Sequence, residues 1–299
     1  MTLDSDEWDW VAHFLPNLNR LAVISKPDST TPQEFTQLVK PSTVEIRNER
    51  EHWTCRNVNI PKLHVERLPV RLASNVDSLE CHSCKTTVSK GVLQVKELPG
   101  NYWMDLIDCW SCHQSEFAVV TEKLAFSQDG HEILPKTGQI LHRGMFLLAS
   151  LQDLAPCACL TEDGQLVTLA GAQEPTHIKI PLCSLNLCTE TDSSSFVRLV
   201  SAELYDAMES TGSALFAISS GPQSDAILLT VLSWNSKFYL GSGWRSGMIV
   251  QKESKSHDDS AVSFIWSASL VERLKICLTK GFALAERFEF SAPTSIILE

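Results

Sequence analysis

The sequence carries two Cys-x-x-Cys pairs that have the spacing of metal ligands. Cys81 and Cys84 form the first pair, Cys109 and Cys112 form the second, and 24 residues separate the pairs. Two such turns can place four thiolates at the corners of a tetrahedron, about 2.3 Å from a zinc ion. His113 directly follows Cys112 and offers a fifth donor where only four are needed. The spacing predicts a structural zinc site without an open coordination position, which disfavours a hydrolytic metal.

The remaining cysteines give weaker signals. Cys157 and Cys159 form a Cys-x-Cys after a proline, while Cys183 and Cys188 belong to an alternating apolar stretch. Small buried hydrophobic side chains are the plainer interpretation of these four residues. Disulfides are not expected, because an intracellular compartment keeps thiols reduced.

Motifs of several common enzyme classes are missing from the sequence. It contains neither a phosphate-binding G-x-x-x-x-G-K-[ST] loop nor a G-x-G-x-x-G after a strand. It also contains no G-x-S-x-G and no H-E-x-x-H, so serine-hydrolase and zincin sites have no local support. A nucleophilic cysteine remains the one enzymatic option, since thioester chemistry needs only a thiol of lowered pKa and a charged partner enzyme.

The hydrophobic patterns that must position these residues predict an α+β fold. We expect an acidic tail at 1–15, a β-rich lobe with the zinc knuckle at 16–190, and an α+β lobe of antiparallel strands with two helices at 191–299. A polar cluster, Thr189–Ser195, suggests the boundary near residue 190.

Individual elements follow from the same patterns. Apolar residues at helical spacing predict one helix that begins at Phe196 and stops at Gly212, and a second through Cys277 that stops at Gly281. A turn at Asn235–Ser236 is expected to separate two strands. The strands are predicted at 21–25, 42–47, 63–72, 91–97, 144–150, 165–169, 214–219, 226–234, 238–240 and 287–290, with a short helical turn at 102–108 and a solvated loop at 251–260.

Composition excludes several classes of partner. The formal net charge is −11, so no basic excess is available for direct binding to nucleic acid. The longest apolar stretches are far shorter than the roughly 20 residues that cross a bilayer, and no membrane partner is expected. The first ten residues are acidic and lack the pattern of a secretory signal or a mitochondrial presequence, which favours an intracellular protein.

The zinc segment resembles a known family. Its signature consists of a Cys-x-x-Cys at Cys81, a strand that ends in Leu98-Pro99, the tryptophan Trp103, a Trp-x-Cys-His that begins at Trp110, and a following Phe-Ala at Phe117. In this it is similar to the HECT-like ubiquitin ligases that bind ubiquitin-conjugating enzymes. A weaker resemblance in the order of helices and strands continues to the C-terminus.

This resemblance implies an E3 ubiquitin-protein ligase, cytoplasmic and nuclear, that accepts ubiquitin from a conjugating enzyme. In fungi and animals it also implies a link to the endonuclease subunit of the pre-mRNA cleavage and polyadenylation machinery. Cys81, Cys84, Cys112 and His113 match the metal-binding positions of the family. Cys109 departs from the family pattern, so either Cys109 or His113 takes the fourth corner.

A second departure concerns Cys157 and Cys159. Where the family tends to show another Cys-x-x-Cys, this chain has Leu169–Ala172. The resemblance therefore leaves these two cysteines without partners for a second zinc ion.

Two functions are compatible with these features. A ligase would either form a ubiquitin thioester, for which Cys109, Cys159 and Cys188 are candidates, or orient the charged conjugating enzyme. The alternative is a non-enzymatic, zinc-stabilised chaperone or assembly factor for the endonuclease, whose acidic surface engages a basic partner. Tryptophans are then candidate interface anchors, against the plainer interpretation of core packing: Trp8, Trp10, Trp234, Trp244 and Trp266.

Overall fold

The structure is a computed structural model that describes residues 10–25, 43–47, 50–56, 72–97, 125–126, 133–186, 196–240, 244–253, 261–288, 290 and 294–298. These residues form many strands and three helices, which confirms the α+β class. The helices are α1 (Ala158–Asp163), α2 (Phe196–Thr211) and α3 (Ala268–Arg287). The first ten strands are β1 (Trp10–Leu15), β2 (Arg20–Ser25), β3 (Thr43–Arg47), β4 (Arg50–Arg56), β5 (Asn75–Val76), β6 (Glu80–Cys81), β7 (Leu93–Glu97), β8 (Ala125–Phe126), β9 (Ile133–Leu134) and β10 (Gln139–Arg143). The later strands are β11 (Phe146–Ser150), β12 (Gln165–Val167), β13 (His177–Pro181), β14 (Leu185–Asn186), β15 (Leu215–Ser219), β16 (Ile227–Leu240), β17 (Trp244–Lys252), β18 (Val262–Ile265) and β19 (Thr294–Leu298).

The chain divides into two compact units. Unit 1 contains residues 1–67, 227–256 and 274–299, and unit 2 contains residues 68–226 and 257–273. Both units are discontinuous in sequence, whereas the predicted division at residues 15 and 190 is continuous. The last six residues of the predicted acidic tail form β1. The division at residues 15 and 190 stays a prediction.

An antiparallel sheet organises unit 1. β1 pairs with both β2 and β16, β2 continues through β4 to β3, and β16 continues through β17 to β19. Apolar side chains from β1, β16 and the last turns of α3 form one core, which includes Val11, Phe238 and Leu284. His13 lies beside this core, where its ring stacks on Phe238 at 5.0 Å between ring centroids. Because successive side chains of β1 point to opposite faces of the sheet, this strand contributes side chains to both faces.

Unit 2 is organised by a mixed sheet in the order β12-β13-β11-β10-β7-β5. Its neighbouring strands are antiparallel, except that β7 and β10 are parallel. Gly144 turns the chain between β10 and β11 with a φ of 53°, a conformation that glycine adopts without a steric penalty. Glu203 of α2 accepts a hydrogen bond of 3.0 Å from the backbone N–H of Met145. A side chain at residue 144 would overlap this carboxylate.

Several element predictions are confirmed. β7, β11, β12 and β15 lie within the predicted segments, and β2 begins one residue before its predicted segment. α2 begins at Phe196 and ends before Gly212, whose φ of 69° and N–H bond to Met208 form a C-terminal cap. Residues 63–71 of the strand predicted at 63–72, the helical turn predicted at 102–108, and residues 254–260 of the loop predicted at 251–260 lie outside the described residues. The first two residues of that predicted loop belong instead to β17.

The predicted turn at Asn235–Ser236 is wrong, because β16 runs through it without interruption. The register of β16 against β17 shifts twice between Val231 and Ser236. Such β-bulges accommodate extra residues within a strand. Asn235 donates to Asn17 at 2.8 Å and Ser236 donates to Ser233 at 2.9 Å, whereas Oδ1 of Asn235 is buried without a hydrogen-bond partner. Residues typical of a turn therefore form a bulge.

The predicted helix stop at Gly281 is also wrong, because α3 continues to Arg287. Gly281 serves a close approach between helix and strand, since a side chain there would overlap Ser295 and the backbone of Ile296. Ser295 in turn donates a hydrogen bond of 3.0 Å to the carbonyl of Leu278. The longer helix takes up the start of the segment 287–290, which was predicted as a strand, and the last strand is β19.

Candidate metal centre

Four cysteine side chains of unit 2 converge on one point. The sulfurs of Cys81, Cys84, Cys157 and Cys159, here called the thiol cluster, all lie within 4.8 Å of one another. Sulfurs bound at about 2.3 Å to one tetrahedral ion lie about 3.8 Å apart. The sulfurs of Cys84 and Cys157 are separated by 3.7 Å. The spacing therefore fits a tetrahedral ion, and the four cysteines could hold a metal.

The first pair lies on a tight turn that follows β6. Cys81 is buried at the end of this strand, and Cys84 is exposed on the turn. The N–H of Lys85 donates to the carbonyl of Cys81 at 2.9 Å, and Lys85 adopts a φ of 60°. Such a turn brings residues three apart in the sequence to the same side, so both sulfurs could bind one ion.

The second pair lies at the start of helix α1. Cys157 is the residue before the helix, and Cys159 belongs to its first turn. The carbonyl of Cys157 accepts bonds from both the N–H and the side chain of Thr161, at 3.1 Å each. These bonds form the first helical turn and fix the direction of both side chains. Cys157 and Cys159 are half-buried, so the cluster lies near the surface of unit 2.

Backbone pairing brings the two pairs together. The chain that leaves the first pair forms an antiparallel bridge between Ser89 and Leu154, immediately before the second pair. The N–H of Ala155 donates to the carbonyl of Val88 at 2.7 Å, and that of Lys90 to Asp153 at 2.9 Å. Pairs that are distant in sequence thus become neighbours through a short stretch of β-structure.

Cys84, Cys157 and Cys159 differ in acidity. Hydrogen bonds from the side chain and the backbone of Thr86 lower the pKa of Cys84 to about 6. Desolvation raises the pKa of Cys157, and desolvation followed by the charge of Cys84 raises the pKa of Cys159 to about 11. One thiolate therefore forms readily and opposes the ionisation of its neighbours. A bound cation offsets this repulsion, which is the electrostatic property expected of a metal-binding group.

The structure tests only part of the predicted ligand set. Cys81 and Cys84 lie in the thiol cluster as ligand candidates. Cys109, Cys112 and His113 lie outside the described residues, so their role as ligands stays a prediction.

The interpretation of Cys157 and Cys159 as buried hydrophobic residues is wrong. They are partners of the first pair, and they do not lack partners as the family resemblance had suggested. Their Cys-x-Cys spacing before a helix was the available signal. The two Cys-x-x-Cys pairs, 24 residues apart, already supply four candidate ligands, so their spacing favours Cys109 and Cys112 over Cys157 and Cys159.

The other candidate residues have different surroundings. Cys183 is buried, as predicted, and Cys188 lies outside the described residues. Trp244 packs against the core that contains Phe14, and Trp266 is 3% exposed. Core packing explains both of these tryptophans. None of the helices that the structure describes has the length and apolar character needed to cross a bilayer.

Comparison with known proteins places the chain in a family. A protein of Schizosaccharomyces pombe described as uncharacterized is 28% identical over 127 residues, which are 42% of this chain and 32% of that protein. The match thus spans about a third of the relative's length. No solved structure matches the chain. The family described as HECT-like ubiquitin-conjugating enzyme (E2)-binding matches residues 20–263. Because this match includes both halves of the thiol cluster and most of the chain, the protein belongs to the HECT-like ubiquitin-conjugating enzyme (E2)-binding family.

Proposed function

We propose that this protein is an E3 ubiquitin-protein ligase of the cytoplasm and nucleus. It binds a ubiquitin-conjugating enzyme and promotes the transfer of ubiquitin to substrate lysines. The family match over residues 20–263 carries the proposal, since binding of a conjugating enzyme is the property by which that family is described. Ubiquitin itself is then a partner as the group being transferred.

In this proposal the protein orients the charged conjugating enzyme and does not carry ubiquitin itself. A thioester requires a thiol that the conjugating enzyme can reach. Among the cysteines that the structure describes, Cys55 and Cys183 are buried, Cys277 is half-buried on α3, and the other four, including Cys159, belong to the thiol cluster. A metal-bound sulfur is committed to its ion. Cys109 and Cys188 lie outside the described residues, and they are the nucleophiles of the competing covalent mechanism.

The metal in this proposal is a structural zinc ion held by the thiol cluster. Four thiolates at tetrahedral spacing are the typical ligands of structural zinc. Because four protein ligands leave no position for water, the ion stabilises unit 2 and does not activate a nucleophile. The residues that present the conjugating enzyme with a binding surface then depend on a folded unit 2.

A single-turnover assay tests the proposed mechanism. A conjugating enzyme charged with ubiquitin is mixed with the full chain and free lysine, across a panel of conjugating enzymes, and loss of the thioester is followed. We expect at least one conjugating enzyme to discharge faster without a ubiquitin adduct on this protein. Cys109→Ser and Cys188→Ser variants, with zinc content measured on the same samples, provide the comparison for the covalent mechanism.

The outcomes of this assay separate the mechanisms. A ubiquitin adduct that a reducing agent removes, and that one zinc-replete cysteine variant loses, would overturn the orienting mechanism and identify the nucleophile. The absence of both binding and faster discharge for every conjugating enzyme would overturn the ligase proposal.

The net charge favours a second candidate function. A chain with a charge of −11 can engage a basic, RNA-handling protein, and the proposed partner is the endonuclease subunit of the cleavage and polyadenylation machinery. As a chaperone, this protein would bind the newly made subunit at low salt and release it as salt increases. Depletion would then lower the level of the endonuclease in cells whether or not ubiquitin transfer is blocked.

A further inference from the structure

One short segment contacts both halves of the thiol cluster. It comprises the 3-10 turn Leu182–Ser184 and strand β14, and is here called the bridging segment. Residues 182–185 are buried. The segment lies far from both cysteine pairs in the sequence, so its contacts are not a consequence of chain connectivity. Its position is set by the bonds that it makes to each pair.

The bridging segment holds the first cysteine pair through its backbone. Leu185 pairs with Cys81 in the two-stranded sheet of β6 and β14. The carbonyl of Ser184 accepts a hydrogen bond of 2.9 Å from the N–H of His82. The side chain of Asn186 adds a contact, with its Oδ1 2.8 Å from Nδ1 of His82. Two consecutive residues of the first pair's turn are thereby fixed to the segment.

The same segment holds the second pair through one side chain. The hydroxyl of Ser184 donates to Oδ2 of Asp163 at 2.8 Å. Asp163 is the last residue of α1, the helix that contains Cys159 and directly follows Cys157. Ser184 therefore contacts the first pair's turn with its carbonyl and the second pair's helix with its hydroxyl. Its side chain is 3% exposed, so water competes little for these bonds.

Further contacts keep this link in place. The other carboxylate oxygen of Asp163 accepts a hydrogen bond of 2.5 Å from Ser269. The guanidinium of Arg273 lies 3.2 Å from the sulfur of Cys183, inside the bridging segment. A carboxylate at the C-terminal end of a helix is disfavoured by the helix dipole. Its two serine partners account for the position of Asp163.

We propose that Ser184 and Asp163 are positioning residues that set the metal affinity of the thiol cluster by holding its two halves at ligand spacing. The inference rests on the proposed binding of zinc by this cluster. Neither residue supplies a ligand atom. Their effect is to keep the first pair's turn and helix α1 in one arrangement before the ion arrives.

The physical basis is preorganisation. Without the bond between Ser184 and Asp163, metal binding must also order the second pair against the first, and this ordering lowers the affinity. Groups that orient metal ligands from outside the coordination sphere typically contribute 10-fold to 100-fold to metal affinity. We expect Ser184→Ala to weaken zinc binding by about 10-fold to 100-fold.

The test measures zinc affinity of the full chain by competition with a chromophoric chelator. Co²⁺ serves as a spectroscopic probe, because its absorption reports tetrahedral thiolate coordination. In Ser184→Ala the Co²⁺ spectrum should keep its shape while the affinity falls. Asp163→Ala should show a similar loss, and the double variant should lose little more than either single variant.

Matched controls separate positioning from general destabilisation. Ser210→Ala removes another buried hydroxyl of unit 2, one that donates to the carbonyl of Ala207 at 3.2 Å. Ser269→Ala removes the second hydrogen bond of Asp163 and leaves the bond between Ser184 and Asp163 in place, so it should cause a smaller loss of zinc affinity than Ser184→Ala. Ser210→Ala should keep zinc affinity within about 3-fold of wild type, since its contact does not join the cysteine pairs. If Ser184→Ala does not fold, Asp163→Asn, which preserves the shape of the side chain, provides the measurement with a smaller expected loss.

The possible results are distinguishable. A wild-type chain that binds no zinc overturns the proposed metal itself. Normal zinc binding in Ser184→Ala and Asp163→Ala overturns only the positioning role, as do strictly additive losses in the double variant. A loss in Ser210→Ala equal to that in Ser184→Ala also contradicts positioning, because it reveals a general dependence on the stability of unit 2.

Discussion

The environment of His13 in unit 1 differs from that of the thiol cluster in unit 2. In unit 1, the imidazole of His13 lies among the aromatic rings of Phe238, Phe288 and Phe290, and its Nε2 has no hydrogen-bond partner. Unit 2 contains the thiol cluster, and serine hydroxyls donate hydrogen bonds to the carboxylate of Asp163 on helix α1. In unit 1, burial of the imidazole of His13 disfavours its protonation. In unit 2, the thiol cluster could hold a metal ion, and a bound ion would add a ligand-dependent source of stability.

The largest expected effect comes from removing a metal ligand. Cys157→Ser should release the metal and lower the free energy of unfolding of unit 2 by several kcal/mol, because structural zinc contributes roughly 10–16 kcal/mol in small zinc-folded peptides. Hydrogen exchange should accelerate in β11 and β13. Amides of β1 and β2 in unit 1 should keep their protection.

Cys277→Ser is the matched control for that variant. Cys277 is a half-buried cysteine of α3 outside the thiol cluster, so its replacement should leave the metal content unchanged. Equal protection of β11 in wild type and Cys157→Ser would contradict the ligand-dependent stability of unit 2.

Lowering the pH should have a smaller effect on the free energy of unfolding, and this effect should appear in unit 1. Burial, followed by the charge of Arg20, lowers the pKa of His13 from 6.5 to about 4. Between these two values the unfolded chain binds more protons than the folded chain, so the free energy of unfolding falls as the pH falls from 6.5 to 4. The change amounts to about 3 kcal/mol. It can be measured as the pH dependence of protection in β1 and β16.

His13→Phe should sharpen the comparison between the units. The substitution keeps a ring in the aromatic cluster and removes the group that titrates. Protection in unit 1 should then change less between pH 6.5 and 4, while the pH dependence of unit 2 should be the same as in wild type. An unchanged pH dependence of unit 1 would show that His13 does not cause it.

The smallest expected effect concerns the packing of α3 in unit 1. Glycine to alanine in a helix interior ordinarily stabilises by up to about 1 kcal/mol. At Gly281 the new methyl group would overlap Ser295 and the backbone of Ile296, so we expect Gly281→Ala to destabilise unit 1 by about 1–3 kcal/mol. Urea denaturation, followed by protection in β17 and β19, measures the change.

Gly221→Ala is the comparison for this last variant, because a side chain at residue 221 has open space. Its midpoint of unfolding should stay close to that of wild type. Stabilisation by Gly281→Ala would contradict the close contact between α3 and β19.

The sequence predicts elements whose signal is local. Helix α2 was identified from helical spacing and a glycine stop, and β2 and β7 from apolar runs between turn residues. Gly281 and the Asn235–Ser236 pair were misread, since the same residues serve tight packing and β-bulges as well as stops and turns. Which role applies depends on the neighbouring strand, and that partner is not encoded in the local pattern.

For a similar reason, the sequence pointed to only one of the two cysteine pairs of the thiol cluster. The spacing of Cys81 and Cys84 pointed to one pair of cysteines of the thiol cluster. The pairing of this turn with Cys157 and Cys159 depends on a β-bridge between Ser89 and Leu154. A bridge between distant residues has no signature in the spacing of the cysteines. Proximity along the chain therefore favoured Cys109 and Cys112, whose role stays a prediction.

The position of β1 has a consequence for synthesis on the ribosome. Val11 pairs with Leu240, which is 229 residues later in the chain, so the first described strand emerges long before one of its two neighbours exists. Residues 68–226, most of unit 2, are translated in that interval. While most of unit 2 is being synthesised, β1 and β2 lack strand β16, with which β1 pairs in the folded protein. This delay leaves a strand edge of β1 unpaired during synthesis, and unpaired strand edges are prone to aggregation.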